Sequence, residues 1–173
     1  MRKLYSQLIG LPVFDEASAP NSPLALIQNI IIDPENGKIL AFVIKGSRII
    51  VPFDVERLNA GLFIADRDHI VPMDDVLRVH EVSQMRIDFI GARVITERTK
   101  QFLGRTVDYE IDTTHMMLTN IHVAKIFFFF RFQERIISYK NIVRVDKHTI
   151  IVKDTKELTV KEKAPARSQA FAA

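Results

Sequence analysis

Among its 173 residues the chain has no cysteine and no tryptophan. Without a thiol it can form no disulfide, thiolate zinc site, iron–sulfur cluster or cysteine nucleophile. Its six glycines stand singly, at Gly10, Gly37, Gly46, Gly61, Gly91 and Gly104, so no phosphate-cradling loop can be assembled from them. No apolar run approaches the roughly 20 residues that a membrane-spanning helix needs. The opening MRKLYSQLIGLPVF is basic at first, but Pro12 and Asp15 interrupt it before a signal-peptide core could form. A soluble, cytoplasmic protein is the expectation.

Reactive patterns are also missing. Neither a GxSxG turn nor Ser-His-Asp order occurs, and His115, His122 and His148 lack HExxH-like spacing. "DRDH" at Asp66 to His69 has ligand-type residues, yet neighbours in a turn point different ways and no second cluster completes a coordination shell. The expected chemistry is therefore non-enzymatic, with no cofactor, no metal and no small-molecule substrate.

What is present is an ordinary globular balance, 47% hydrophobic and 26% charged. The net charge of +3 is unevenly placed. Splitting after His80 gives 8 Lys+Arg minus 10 Asp+Glu, or −2, in the first part and 16 minus 11, or +5, in the second. Such asymmetry points weakly toward an acidic partner for the second part.

The two parts repeat. "LIGLPVF" (Leu8 to Phe14) is echoed by "FIGARVI" (Phe89 to Ile95), "NIIIDPENG" (Asn29 to Gly37) by "DYEIDTTHM" (Asp108 to Met116), and "RIIVPFDV" (Arg48 to Val55) by "RIISYKNI" (Arg135 to Ile142). Each block reads as short strands. In the first copy these are Ala25 to Asp33, Ile39 to Lys45, Arg48 to Val51 and Leu62 to Ala65, with Pro34-Glu35-Asn36-Gly37 as a hairpin turn. In the second they are Val94 to Glu97, Thr106 to Ile111, Leu118 to Val123, Ile126 to Phe130, Arg135 to Tyr139 and Thr149 to Val152. Asp33 and Asp112 each end a strand where a carboxylate can accept from a backbone N–H two residues on. Between the copies, Met73, Val76, Leu77 and Val79 or His80 recur at helical spacing, predicting a short helix from about Met73 to Gln84.

These blocks resemble the PRC-barrel family, a small β-barrel first named for the cytoplasmic part of the H subunit of photosynthetic reaction centres. The residues that carry the resemblance are Gly10, Val13, Ile32, Asp33, Gly37, Ile49, Ile50, Pro52, Asp54 and Val55 in the first copy. In the second they are Gly91, Val94, Gly104, Ile111, Asp112, Ile136, Ile137, Asn141 and Ile142. Ala25 stands where the second copy has Gly104, and Tyr139 replaces the first copy's proline. The resemblance implies an all-β chain of two consecutive small barrels joined by a short helix. The first barrel would span residues 1–70, the helix 71–85 and the second barrel 86–158, with a flexible tail at 159–173. It also implies a non-catalytic protein-binding or scaffolding module. The ribosomal small-subunit maturation factors, which end in such a barrel, imply an alternative as an RNA- or ribosome-associated assembly factor. This chain lacks their HGxxGE-like opening.

"KIFFFFRFQERI" (Lys125 to Ile136) concentrates five phenylalanines in six positions. On one strand Phe127 and Phe129 share a face and Phe128 and Phe130 the other, so only one pair can fill a barrel. The outward pair needs cover from the connecting helix or first barrel, from a protein partner or second copy, or from RNA bases or a membrane surface. The expected contact residues are Phe128, Phe130, Arg131 and Phe132, with Arg135 as an electrostatic supplement.

Overall fold

The computed structural model describes residues 1–17, 22–127 and 130–154. The first half runs β1 (Arg2–Leu4), a helical turn α1 (Tyr5–Leu8), β2 (Pro12–Asp15), β3 (Ala25–Leu26), β4 (Asn29–Ile32), β5 (Ile39–Ile44), β6 (Arg48–Ile50), β7 (Val55–Leu58), β8 (Leu62–Ile64) and β9 (Val71–Pro72). Helix α2 (Leu77–Gln84) leads into β10 (Arg93–Thr96), β11 (Phe102–Asp112), β12 (Met117–Phe127), β13 (Phe130–Ser138), β14 (Ile142–Asp146) and β15 (Thr149–Val152). The chain, expected as all-β, is mostly β, with one short helix between the halves.

The described strands form three sheets, ordered β3-β2-β8-β7, β4-β5-β6-β9 and β13-β12-β11-β10-β15-β14, with β1 also on β11. None of the three orders closes on itself. The sheets are open, and two features join the halves expected as separate closed barrels. β1, at the start of the first copy, pairs antiparallel with Glu110 to Asp112 of the second. One apolar cluster also runs through both halves, from Leu8, Val13 and Phe42 to Ile121, Ile137 and Val152. The physical reason is edge cover: β10 pairs with β11 only as far as Arg105, and β1 takes part of the edge left beyond it.

Beneath this, the pairing pattern recurs. β2 runs parallel to β8 with Val13 opposite Leu62, and β10 runs parallel to β15 with Val94 opposite Ile150. β4-β5-β6 corresponds to β11-β12-β13, and β7-β8 to β14-β15, all antiparallel. Single hydrogen bonds recur too. Gly10 N donates to Ile27 O and Ile27 N to Leu11 O, as Gly91 N donates to Thr106 O and Thr106 N to Ala92 O. Val13 faces Ala25 where Val94 faces Gly104, the correspondence expected from sequence.

Ala25 to Asp33, expected as one strand, divides into β3 and β4. At Ile27 the chain bonds Leu11, and at Gln28 it bonds Val43, so it turns from one sheet into the next. The Pro34–Gly37 turn forms as expected, with Gly37 in the left-handed region at φ 72°. The Tyr139 ring lies 2.7 Å from where a Cβ would project from Gly37, and this close approach binds the halves together.

The connecting helix starts later than its sequence period suggests. Met73–Asp75 forms a 3-10 turn, Val76 is extended, and α2 begins at Leu77. The tighter turn shifts the phase. Val79 and Val82 are buried, while Leu77 is 73% exposed. α2 packs on the first copy, where Val79 meets Ala41 and Ile49.

The halves join through a reciprocal contact. Gly37 and Met116 each lie four residues after their turn aspartate, and both have positive φ, 72° and 48°. Ile39 N donates to Met116 O and Leu118 N donates to Gly37 O, both at 2.8 Å, around a bridge between Lys38 and Met117. Counterpart bonds counterpart, as at an isologous two-fold contact. The segments preceding each copy are exchanged in the same sense. β1 and α1 lie on β11 of the second copy, and α2 lies on β4 and β5 of the first.

Candidate partner interface

The two copies differ most in one hairpin. β5 and β6 are closed by Lys45-Gly46-Ser47, with Ile44 opposite Arg48. Their counterparts Val123 and Arg135 are also paired, but the strands between them continue through Lys125 opposite Phe132, Ile126 opposite Arg131 and Phe127 opposite Phe130. Residues 124–134 thus replace a three-residue turn. A register shift between Val123 and Lys125 and a left-handed Gln133 at φ 49° bend the extension. Beyond Ala124, which faces Arg105, β12 has only β13 as a described ladder partner.

This geometry corrects the strand reading of the phenylalanine run. Leu118 to Val123 and the start of Ile126 to Phe130 belong to one strand, β12, while Phe130 opens β13. Phe127 and Phe130 are direct cross-strand neighbours, so one alternation does not run through 127–130. Phe128 lies outside the described residues, as do the side chains of Phe130 and Phe132, whose backbones are in β13. Arg131 is exposed, on the same strand. Arg135 sits at the base of the extension, half-buried, with its Nε buried and without a hydrogen-bond partner. Phe130, Arg131, Phe132 and Arg135 therefore share β13, with the charged pair at different depths.

The base of the hairpin is held by a close backbone approach. A Cβ on Gly104 would stand 2.5 Å from Ala124 O, and Gly104 has φ 139°, a region open essentially to glycine. Beside it Phe102 is 40% exposed under the Arg93 guanidinium, 5.5 Å from the ring centroid. Sequence reading missed one further exposed ring. Phe53, in the 3-10 turn Pro52–Asp54, is 96% exposed, and the surrounding VPFDV offered no periodicity to signal it.

A cleft of about 290 Å³ lies at the junction of the halves. Tyr5, Asn29, Arg86, Asp88, Phe89 and Tyr109 are among its lining residues. The rings of Tyr5 and Tyr109 stand 4.8 Å apart. Burial, then Asp108 and Asp88, pushes the Tyr5 hydroxyl up, and burial, with Tyr5 and Asp108, pushes that of Tyr109 well up, so both phenols stay neutral. Ser83, also on the wall, donates its hydroxyl to His80 O at 2.7 Å. These neutral groups supply a mixed polar and aromatic wall and no activated nucleophile.

The other reactive-looking residues are engaged singly. Asp66 accepts from Asp68 N, Arg67 reaches Asp15 at 3.4 Å and His69 approaches Asp54 at 3.6 Å, so "DRDH" disperses as expected of a turn. His115 meets Asp112 at 2.6 Å, and His122 meets Glu110 at 3.0 Å. Among the described residues no group of three or more such side chains could hold a metal ion. Asp33 accepts from Glu35 N and Asp112 from Thr114 N, the expected caps two residues on. Each also has a cation: Arg78 reaches Asp33 at 3.0 Å, and the Met1 amino group reaches Asp112 at 3.4 Å. Among the described residues no helix is long and apolar enough to cross a membrane.

Residues 2–85 match the family described as PRC-barrel domain. The match includes the connecting helix α2, which the sequence boundaries set apart. No curated protein matches the chain.

Proposed function

We propose that the chain is a tandem of two PRC-type repeats that acts in the cytoplasm as a non-catalytic binding or scaffolding module. It holds a protein partner, or a second copy of itself, through the extended β12–β13 hairpin. The observation that carries this reading is the difference between otherwise matching repeats. Most of the pairing order recurs, while one hairpin grows from a three-residue turn into an aromatic-rich and basic extension. Aromatic and arginine side chains are favoured anchors at protein interfaces, and the fold does not need this extension to complete the repeat.

The test is to replace residues 125–134 with Gly-Ser, which leaves the buried Ala124 in place and restores a three-residue turn like Lys45-Gly46-Ser47. The shortened chain is expected to keep its melting temperature within a few degrees and to lose self-association in sedimentation and capture of its partner. Retained association at full strength contradicts the reading.

A second reading, an RNA- or ribosome-associated assembly factor, is favoured by the +5 charge of the second part. Salt separates the two. Phosphate contacts weaken steeply with rising salt, by roughly 10³ or more between 50 and 200 mM for six to ten contacts, whereas an aromatic protein interface changes little.

A further inference from the structure

We propose that the open edge of β4 at Ile32, together with the cleft beside it, takes up an extended segment of a partner protein, apolar with flanking carboxylates, as an added antiparallel strand. This rests on the tandem reading and not on the β12–β13 hairpin.

The second copy shows the same edge in use. Opposed residues of an antiparallel pair exchange both backbone hydrogen bonds or neither. Ile111 lies opposite Leu118, and Leu118 N donates to Gly37 O, so the Ile111 N–H and C=O face away from β12. There they meet β1. Thr113 N donates to Met1 O across the Arg2–Asp112 pair, which makes Lys3–Ile111 the hydrogen-bonded pair.

β4 repeats this up to the last step. Asp33 N donates to Lys38 O at 2.8 Å beside the Ile32–Ile39 pair, and Ile39 N is committed to Met116 O. Ile32 therefore turns its N–H and C=O away from β5, as Ile111 does from β12. No strand meets them, because β4 ends its sheet among the described strands. Counted back from Leu8 and its counterpart Phe89, Arg2–Leu4 corresponds to Ser83–Met85. Ser83 and Gln84 close α2 instead of forming a strand. A helix on the face stands where the other copy has a strand on the edge.

The space left is the cleft of about 290 Å³, with Ile32, Val82, Arg86, Phe89 and Tyr109 among its lining residues. It is smaller than the roughly 300–1,000 Å³ of small-molecule pockets and suits the side chains of a short strand. A residue opposite Ile32 would point with it toward the apolar cluster that includes Phe89 and Tyr109. The next residue, opposite Ile31, would point to the side where Val79 of α2 packs. Both positions call for apolar side chains. Arg86 is exposed on the wall and enters no ion pair among the described residues, which calls for a carboxylate. A second copy is a poor donor, since its β1 is already engaged on its own β11. In such strand addition the main chain supplies affinity and the side-chain pockets supply selectivity.

The test titrates the peptide acetyl-Asp-Val-Ile-Val-Asp-amide into the full chain and follows amide hydrogen exchange. At saturation the Ile32 amide should exchange roughly tenfold more slowly or better, while that of Ile111, already paired with Lys3, is unchanged. The same peptide N-methylated at its central isoleucine cannot donate to Ile32 O and should bind roughly tenfold more weakly. Arg86→Glu should weaken the unmodified peptide about threefold or more. Equal binding of the two peptides, unchanged affinity in Arg86→Glu, or no protection of Ile32 at millimolar peptide would each overturn the proposal. So would an Ile32 amide that exchanges as slowly as Ile111 before peptide is added, because the edge would then be covered by this chain or a second copy. Shortening the β12–β13 hairpin leaves these readouts unaffected, so the two proposals fail separately.

Discussion

The outer face of β4 and β5 and the outer face of β11 and β12 occupy the same place in their repeats but are built from opposite chemistry. In the first copy Ile31, Ala41 and Val43 lie there, and Val79 from α2 covers them together with Met73 and Val76. In the second the same positions are Glu110, Asn120 and His122. Asn120 donates to Glu110 Oε2 at 2.6 Å and His122 pairs with Oε1 at 3.0 Å. A sheet face that receives a helix is apolar, and one that meets water is a hydrogen-bonded polar ladder. The connecting helix thus decides the chemistry of a face whose backbone is duplicated.

The largest break in this comparison is expected at the hairpin base. Gly104→Ala forces a side chain onto Ala124 O at φ 139° and should cost about 4 kcal/mol in urea denaturation. The reverse change at the equivalent position, Ala25→Gly, should cost no more than about 1 kcal/mol. Equal losses would remove the claim that the second copy needs a close backbone approach that the first does not. The core positions follow. Ile49→Ala, beneath β9 and α2, should cost about 3 kcal/mol, and Ile136→Ala about 1 kcal/mol or less.

Exchanging the faces sharpens the comparison at smaller cost to stability. The variant E110I/N120A/H122V copies the first face onto the second without supplying a helix. Folding should survive, and sedimentation should show new self-association through the uncovered apolar patch. A monomer at all concentrations would mean that another element already shields this face.

Acid gives the smallest effect. Burial raises the Asp33 carboxyl, but hydrogen bonds from Arg78 and Glu35 N outweigh it and hold the group below its ordinary value of 3.8. Burial likewise opposes the Asn120 and His122 bonds at Glu110, which still lies below 4.5. For depressed carboxyls the stabilisation is complete above the unfolded values and is lost as pH falls through the folded ones. Asp33→Asn and Glu110→Gln should therefore each flatten the fall in stability below about pH 4.5 in their own copy. An unaltered slope in either would dismiss that network as a contributor.

Local signals made much of this legible. Asn36-Gly37 marked its turn, the turn aspartates were readable from spacing, and the duplicated blocks aligned Ala25 with Gly104 in the register that the sheets adopt. What stayed hidden is non-local. Nothing in Arg2–Leu4 shows that it belongs on β11, because an edge strand is specified by the edge it covers. The phase of α2 slipped because Met73–Asp75 takes a 3-10 turn. The phenylalanine run was read as one strand because composition does not distinguish a strand from the two arms of a hairpin. Of the expected contact residues, Arg131 and Arg135 lie on β13 of the hairpin, whereas Phe128 is not among the described residues.

The account depends above all on two repeats meeting counterpart to counterpart. Its most direct test is a through-space NMR measurement between the Hα protons of Lys38 and Met117. The bonds from Ile39 N to Met116 O and Leu118 N to Gly37 O make this a non-hydrogen-bonded pair, with Cα atoms about 4.5 Å apart. A strong Hα–Hα cross-peak that survives dilution is the predicted result. Its absence, or its disappearance at low concentration, would contradict an intramolecular pairing of the two copies.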